Sequence, residues 1–161
     1  MTCVHNAAMA TADPALQTLF QPFAQGRLKW PDAGVLFLRA RAGEVMRTHA
    51  MPGLLCEQSF RPDALALERA GYEVSADAVD ASRRFPRVLL LPPRQRDESR
   101  ALMARALSLL TPGGIVVASV SNNEGARSAQ GDLERLAGPV EVLSKNKCRV
   151  FWTAPLHDTV D

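Results

Sequence analysis

The sequence predicts a single α/β domain of the Rossmann type: a mostly parallel sheet with helices on both faces and an antiparallel hairpin at its C-terminal end. Three observations carry this reading. Short apolar runs alternate along the chain with segments of helical periodicity, which is the signature of strand–crossover–strand units. Glycine and proline stops separate the segments, and right-handed crossovers then make the strands parallel. The last two apolar runs are joined by only Ser144-Lys-Asn-Lys147, a hairpin spacing.

The elements follow in order. Asp13-Pro14 is a cap and first-turn pair, and Leu16, Leu19, Phe20 and Phe23 lie on one helical face, so a short helix opens the domain over 14–24 and Pro22 ends or bends it. Gly34-Val-Leu-Phe-Leu38 reads as a buried strand, and Leu54-Leu-Cys56 as a shorter one closed by Glu57. Residues 62–70 are helical, with Gly71 as the stop. Tyr72-Glu-Val74 is a weak strand, and Arg87-Val-Leu-Leu-Leu91 is a strong one halted by Pro92 and Pro93.

Residues 97–110 form the clearest helix, with Leu102, Ala106, Leu109 and Leu110 on one side and Asp97 and Glu98 near its positive end. Thr111-Pro-Gly-Gly114 reads as a turn, and 115–120 as a β-branched run suited to burial on both sheet faces. A helix over 122–137 is closed by Gly138 and Pro139, and two strands, 140–143 and 148–153, end the sheet. Residues 1–13 read as a loose N-terminus, 14–153 as the domain, and 154–161 as a polar tail or the start of a linker.

Composition narrows the function classes. The 161 residues are 47% hydrophobic and 22% charged, an ordinary globular balance for one domain. No apolar run approaches membrane-spanning length and no leader pattern opens the chain, so a cytoplasmic protein is expected. Cys3, Cys56 and Cys148 are far apart and lack partners at metal-ligand spacing, so neither a disulfide framework nor a metal site is expected; Cys56 and Cys148 read as buried thiols. His5, His49 and His157 have no nucleophile motif beside them, and no phosphate-cradling Gly-Lys-Ser/Thr loop occurs.

The net charge of +2 does not establish nucleic-acid binding, but basic residues cluster at Arg83, Arg84, Arg87, Arg94, Arg96 and Arg100, and again at Lys145, Lys147 and Arg149. A solvated face is the competing explanation for such runs.

Three segments make the pattern narrower: Val88-Leu-Leu-Leu-Pro-Pro93, Leu110-Thr-Pro-Gly-Gly114 and Asn123-Glu-Gly-Ala-Arg-Ser128, with Lys145-Asn-Lys-Cys-Arg-Val-Phe151 at the end. With them the sequence resembles, from about Leu16 to Trp152, the N-terminal domain of the bacterial small-subunit ribosomal RNA guanine-N2 methyltransferases, which are class I enzymes using S-adenosylmethionine. The resemblance implies a degenerate copy of the fold that supports folding and RNA recognition. The partner it implies is a catalytic methyltransferase domain following Asp161, which binds the S-adenosylmethionine, and ribosomal RNA is implied as the other partner.

The residues argue against catalysis by this chain alone. A bound adenosine needs glycines after the first strand, yet Arg39-Ala-Arg-Ala-Gly-Glu44 keeps only Gly43. Glu57 stands where an acid can accept bonds from ribose hydroxyls, or is simply an exposed acid at a strand end. Where the resemblance calls for Asn-Pro-Pro-Phe, the sequence has Leu91-Pro92-Pro93-Arg94, without amide or ring. No catalytic residue is therefore assigned, no cofactor is expected on this chain, and Gly43 and Glu57 are its only cofactor-binding candidates.

The RNA-binding candidates are Arg94, Arg96, Asn122, Asn123, Arg127, Lys145, Lys147 and Arg149, since the carboxyl ends of parallel strands are where open α/β sheets bind ligands. The alternatives are that Arg127 caps carbonyls or pairs with Glu124, and that Lys145 and Lys147 only solvate a turn. An active methyltransferase with a divergent loop, and a protein-interaction domain, are the other functional readings.

Overall fold

The computed structural model describes residues 13–32 and 34–157, so Cys3, His5 and the expected loose N-terminus before Asp13 lie outside the described residues, as do 158–161. Seven strands form one sheet: β1 (Val35–Leu38), β2 (Leu54–Glu57), β3 (Glu73–Ser75), β4 (Phe85–Leu90), β5 (Leu110–Ser121), β6 (Val140–Lys145) and β7 (Cys148–Thr153). Their order is β3-β2-β1-β4-β5-β7-β6. The first five run parallel, and β7 pairs antiparallel with both β5 and β6.

The helices are α1 (Pro14–Leu19), α2 (Gln21–Ala24), α3 (Glu44–Arg47), α4 (Arg61–Arg69), α5 (Arg96–Ser108) and α6 (Ala126–Ala137), with a 3₁₀ turn at Asn122–Glu124. Strand alternation divides the core in two. Phe37, Leu89, Val117 and Trp152 face Leu16 and Leu19 of α1 and Phe20 just after it. Leu36, Val88, Val116 and Phe151 face Met103 and Ala106 of α5 and Leu133 of α6. A side chain as fully buried as Phe37 contributes about 1.5–3 kcal/mol of hydrophobic stabilisation.

Some details differ from the sequence reading, each for a local reason. The opening helix is two short helices, with Pro22 in the first turn of the second. Thr111-Pro-Gly-Gly114 is not a free turn: it lies inside β5, where the register against β4 slips between Phe85 and Arg87. Gly113 takes φ +81° there, and Gly114 sits so close to Thr111 O that a Cβ would approach it to 2.9 Å. Leu156 bridges back to Gly114, so the chain stays tied to the sheet through that residue. The helix expected from Asn122 is split at Gly125, whose φ of +95° starts α6.

Asn146 and Lys147 form the two-residue hairpin loop at φ +56° and +59°. Left-handed backbone at both positions is the type I′ geometry that favours Asn-Gly. Lys147→Gly is therefore expected to raise stability by about 0.5–1 kcal/mol, read as a higher midpoint in thermal or urea unfolding. Asn146 also donates through Nδ2 to Thr18 Oγ1 at 3.2 Å, which fastens the hairpin tip to α1.

Candidate functional site

In this topology the strand order reverses direction between β1 and β4, so a crevice opens outside the carboxyl ends of these two strands. Arg39 is the residue immediately after β1, and it takes φ +53°, a left-handed conformation in which a bulky side chain is strained. Its Nη1 donates to Leu91 O, just past β4, at 2.6 Å. Burial of this end, together with the charge of Arg41, lowers its pKa. The side chain thus spans the crevice from one central strand to the other.

Arg39 divides the crevice into two cavities. One, of about 190 Å³, is lined also by Glu57, Gln58, Ser59 and Asp77. The other, of about 180 Å³, includes Arg41, Leu91, Pro92, Arg94 and Ser119. Arg41 is held by a bidentate pair with Asp13, Nε to Oδ2 at 2.7 Å and Nη2 to Oδ1 at 3.1 Å.

Gly43 and Glu57 are both committed to the protein itself. Gly43 has extended backbone, and a Cβ on it would lie 2.5 Å from Leu16 Cδ2. Its lack of a side chain admits α1 to the loop. Glu57 Oε1 and Oε2 each accept from Arg105 of α5 at 2.6 Å, and Oε2 also accepts the Val79 amide at 2.9 Å. Both cofactor-binding candidates are thus engaged by neighbouring side chains, Gly43 by Leu16 and Glu57 by Arg105.

The RNA-binding candidates are distributed as follows. Arg94, Asn122 and Asn123 are exposed beyond the ends of β4 and β5. The β6–β7 tip reaches the same edge, because Ser121 pairs with Cys148 and the Asn122 amide donates to Lys147 O at 2.9 Å. Lys145 and Lys147 are exposed there. Arg149 is half-buried, with Nη1 donating to Gln130 Oε1 at 2.7 Å.

Arg96 forms a bidentate pair with Asp132 at 2.9 and 3.1 Å. Arg94 and Arg127 form no ion pair among the described residues. Of the other clustered arginines, Arg83 lies 5.0 Å over the Phe85 ring, Arg87 is half-buried within β4, and Arg100 reaches Asp132. The run of arginines is therefore not one face.

The sequence reading missed Arg39 as a groove-spanning group, although a bulky residue directly after β1 was the available signal. It also missed Asp132, which is 3% exposed and lies between Arg96, Arg100 and Arg135. Hydrogen bonding from Arg96 leads in lowering its pKa, against the opposing effect of burial. Both described cysteines are free and buried, and burial pushes the Cys56 thiol up to about 12. Among the described residues no cluster of His, Cys, Asp and Glu fits a metal, and no helix is long and apolar enough to cross a membrane.

A scan against protein-family models and a search of curated proteins found no match. Solved structures do match. The T. thermophilus 16S rRNA N2 methyltransferase RsmC, in complex with AdoMet and guanosine, aligns with a TM-score of 0.69 at 16% identity, over 92% of this chain and 42% of that one. An O-methyltransferase family protein from Burkholderia thailandensis aligns at 0.62 and 16% identity, over 90% and 58%. The N-methyltransferase NodS from Bradyrhizobium japonicum aligns at 0.63 and 12% identity, over 88% and 94%. The chain thus spans less than two thirds of the first two and nearly all of the third. At such identities the likeness speaks to architecture: the chain has the Rossmann-like fold of the class I S-adenosylmethionine-dependent methyltransferases.

Proposed function

We propose that this chain is a methyltransferase-fold domain that holds no methyl donor and acts as an accessory unit, helping an rRNA guanine-N2 methyltransferase domain to fold and to grip structured RNA. The observation that carries this reading is Arg39, whose side chain crosses from the end of β1 to Leu91 O and partitions the crevice in which this fold takes its ligand. The closure of Glu57 by Arg105 supports it from the other side of the crevice. The exposed cations at the carboxyl edge, Arg94, Lys145 and Lys147, support RNA contact through phosphates.

The test is a pair of calorimetric titrations of the purified chain, one with S-adenosylmethionine and one with a structured rRNA fragment. No saturable heat with millimolar S-adenosylmethionine, together with salt-sensitive RNA binding, is the expected result. Saturable micromolar binding of S-adenosylmethionine overturns it and favours an active enzyme. Absence of RNA binding removes the RNA half of the reading.

A further inference from the structure

We propose that the cavity between the first turns of α5 and α6 is a phosphate-binding site, taking the phosphoryl group of an RNA backbone or of a free phosphate compound. The cavity measures about 150 Å³ and lies beside the crevice, with Pro92 and Arg94 on its wall. Its RNA form rests on the accessory-domain reading; its phosphate chemistry does not.

Two independent features converge on it. The first is the N-terminus of α6, a helix of 12 residues entered through Gly125 with no side chain capping it. Its first-turn amides have no intrahelical acceptor, and the helix dipole adds partial positive charge there. The N-terminus of α5, by contrast, is capped by Gln95, which accepts from the Glu98 amide at 2.7 Å.

The second feature is Ser99, on the first turn of α5 and on the cavity wall. It is 4% exposed, and its Oγ has no hydrogen-bond partner. A buried hydroxyl without a partner is costly, and a ligand oxygen would satisfy it. Ser128 offers another hydroxyl from α6.

The charges favour an anion of modest size. Arg94 is exposed and unpaired among the described residues, so its guanidinium is available for a bidentate grip on phosphate oxygens. Asp132 lines the cavity, but Arg96, Arg100 and Arg135 outnumber its single charge. Glu124 is the one lining carboxylate that opposes an anion, and it is exposed. Glu124, Gly125 and Ser128 of the Asn123-Glu-Gly-Ala-Arg-Ser128 segment build this corner.

Inorganic phosphate is the first probe, titrated against the whole chain at constant ionic strength and followed by thermal melting. The wild type should show a saturable rise in melting temperature. Ser99→Ala should bind phosphate about tenfold more weakly, as should Arg94→Gln, and Glu124→Gln should bind it more tightly. Without phosphate, Ser99→Ala should melt no lower than the wild type, because it removes only an unpaired hydroxyl.

No saturable shift in the wild type, or an equal shift in Ser99→Ala and Arg94→Gln, overturns the proposal. A short single-stranded RNA is the second probe. Weaker RNA binding by the same two variants assigns the site to the RNA backbone. Unchanged RNA binding, with phosphate binding lost, assigns it to a free phosphate compound. If RNA does not bind at all while phosphate does, the RNA half of the proposed function fails and the phosphate site stands.

Discussion

Asp132→Asn is expected to lower the stability of the domain by about 3 kcal/mol at neutral pH, a fall of roughly 10 °C in melting temperature for a chain of this size. Asp132 is the only acid of α6 that is fully buried, at 3% exposed, and it accepts from Arg96 and Arg135 while Arg100 approaches to 3.3 Å. Arg96 and Arg100 belong to α5, so the carboxylate binds the two helices that cover one face of the sheet. Asparagine keeps the volume but turns an amide donor toward three guanidinium groups. The arginines are 46–70% exposed and can return to water, which keeps the cost below that of stranding a fully buried charge.

The same residue sets an acid limit. Its folded-state pKa is depressed, chiefly by the Arg96 hydrogen bonds, so it contributes stability above the ordinary carboxylate pKa of about 4 and loses that contribution as pH falls through the lower folded value. The gap between wild type and Asp132→Asn should therefore be constant above about pH 5 and shrink toward acid pH. Urea unfolding at several pH values measures it; a gap that widens toward acid would contradict the assignment.

What the sequence disclosed and what it hid follow from the range of the interactions. The β1, β4 and β5 strands were legible because their side chains are apolar on both sheet faces, and the closing hairpin because its loop is short. The four-residue α3 was not, since so short a helix has no periodicity to read. Thr111-Pro-Gly-Gly114 carries turn residues, yet tertiary pairing keeps it in the sheet as a bulge. Loss of the glycine loop was visible, whereas the contact of Arg39 with Leu91, 52 residues away, was not. Asp132 could have been found: it lies three residues past Ala129 and beside Leu133, on the buried stripe of α6, where a carboxylate demands partners. Which arginines supply them is a matter of helix packing, and no spacing within α6 reveals Arg96 or Arg100.

Arg105→Met is expected to cost about 2 kcal/mol, and a double-mutant cycle with Glu57→Gln should return most of that as coupling between the two. The pair is bidentate at 2.6 Å, with side chains 31% and 13% exposed, so Glu57 is far enough from water that losing Arg105 strands its charge. The Val79 amide alone would remain to it. The cycle also discriminates between the functional readings. Strong coupling means that the acid at the end of β2 is spent on α5 and holds the helix to the sheet, leaving no acceptor for a ribose. Coupling near zero would mean a solvated carboxylate free to accept ribose hydroxyls, which would favour the reading with a nucleoside in the crevice.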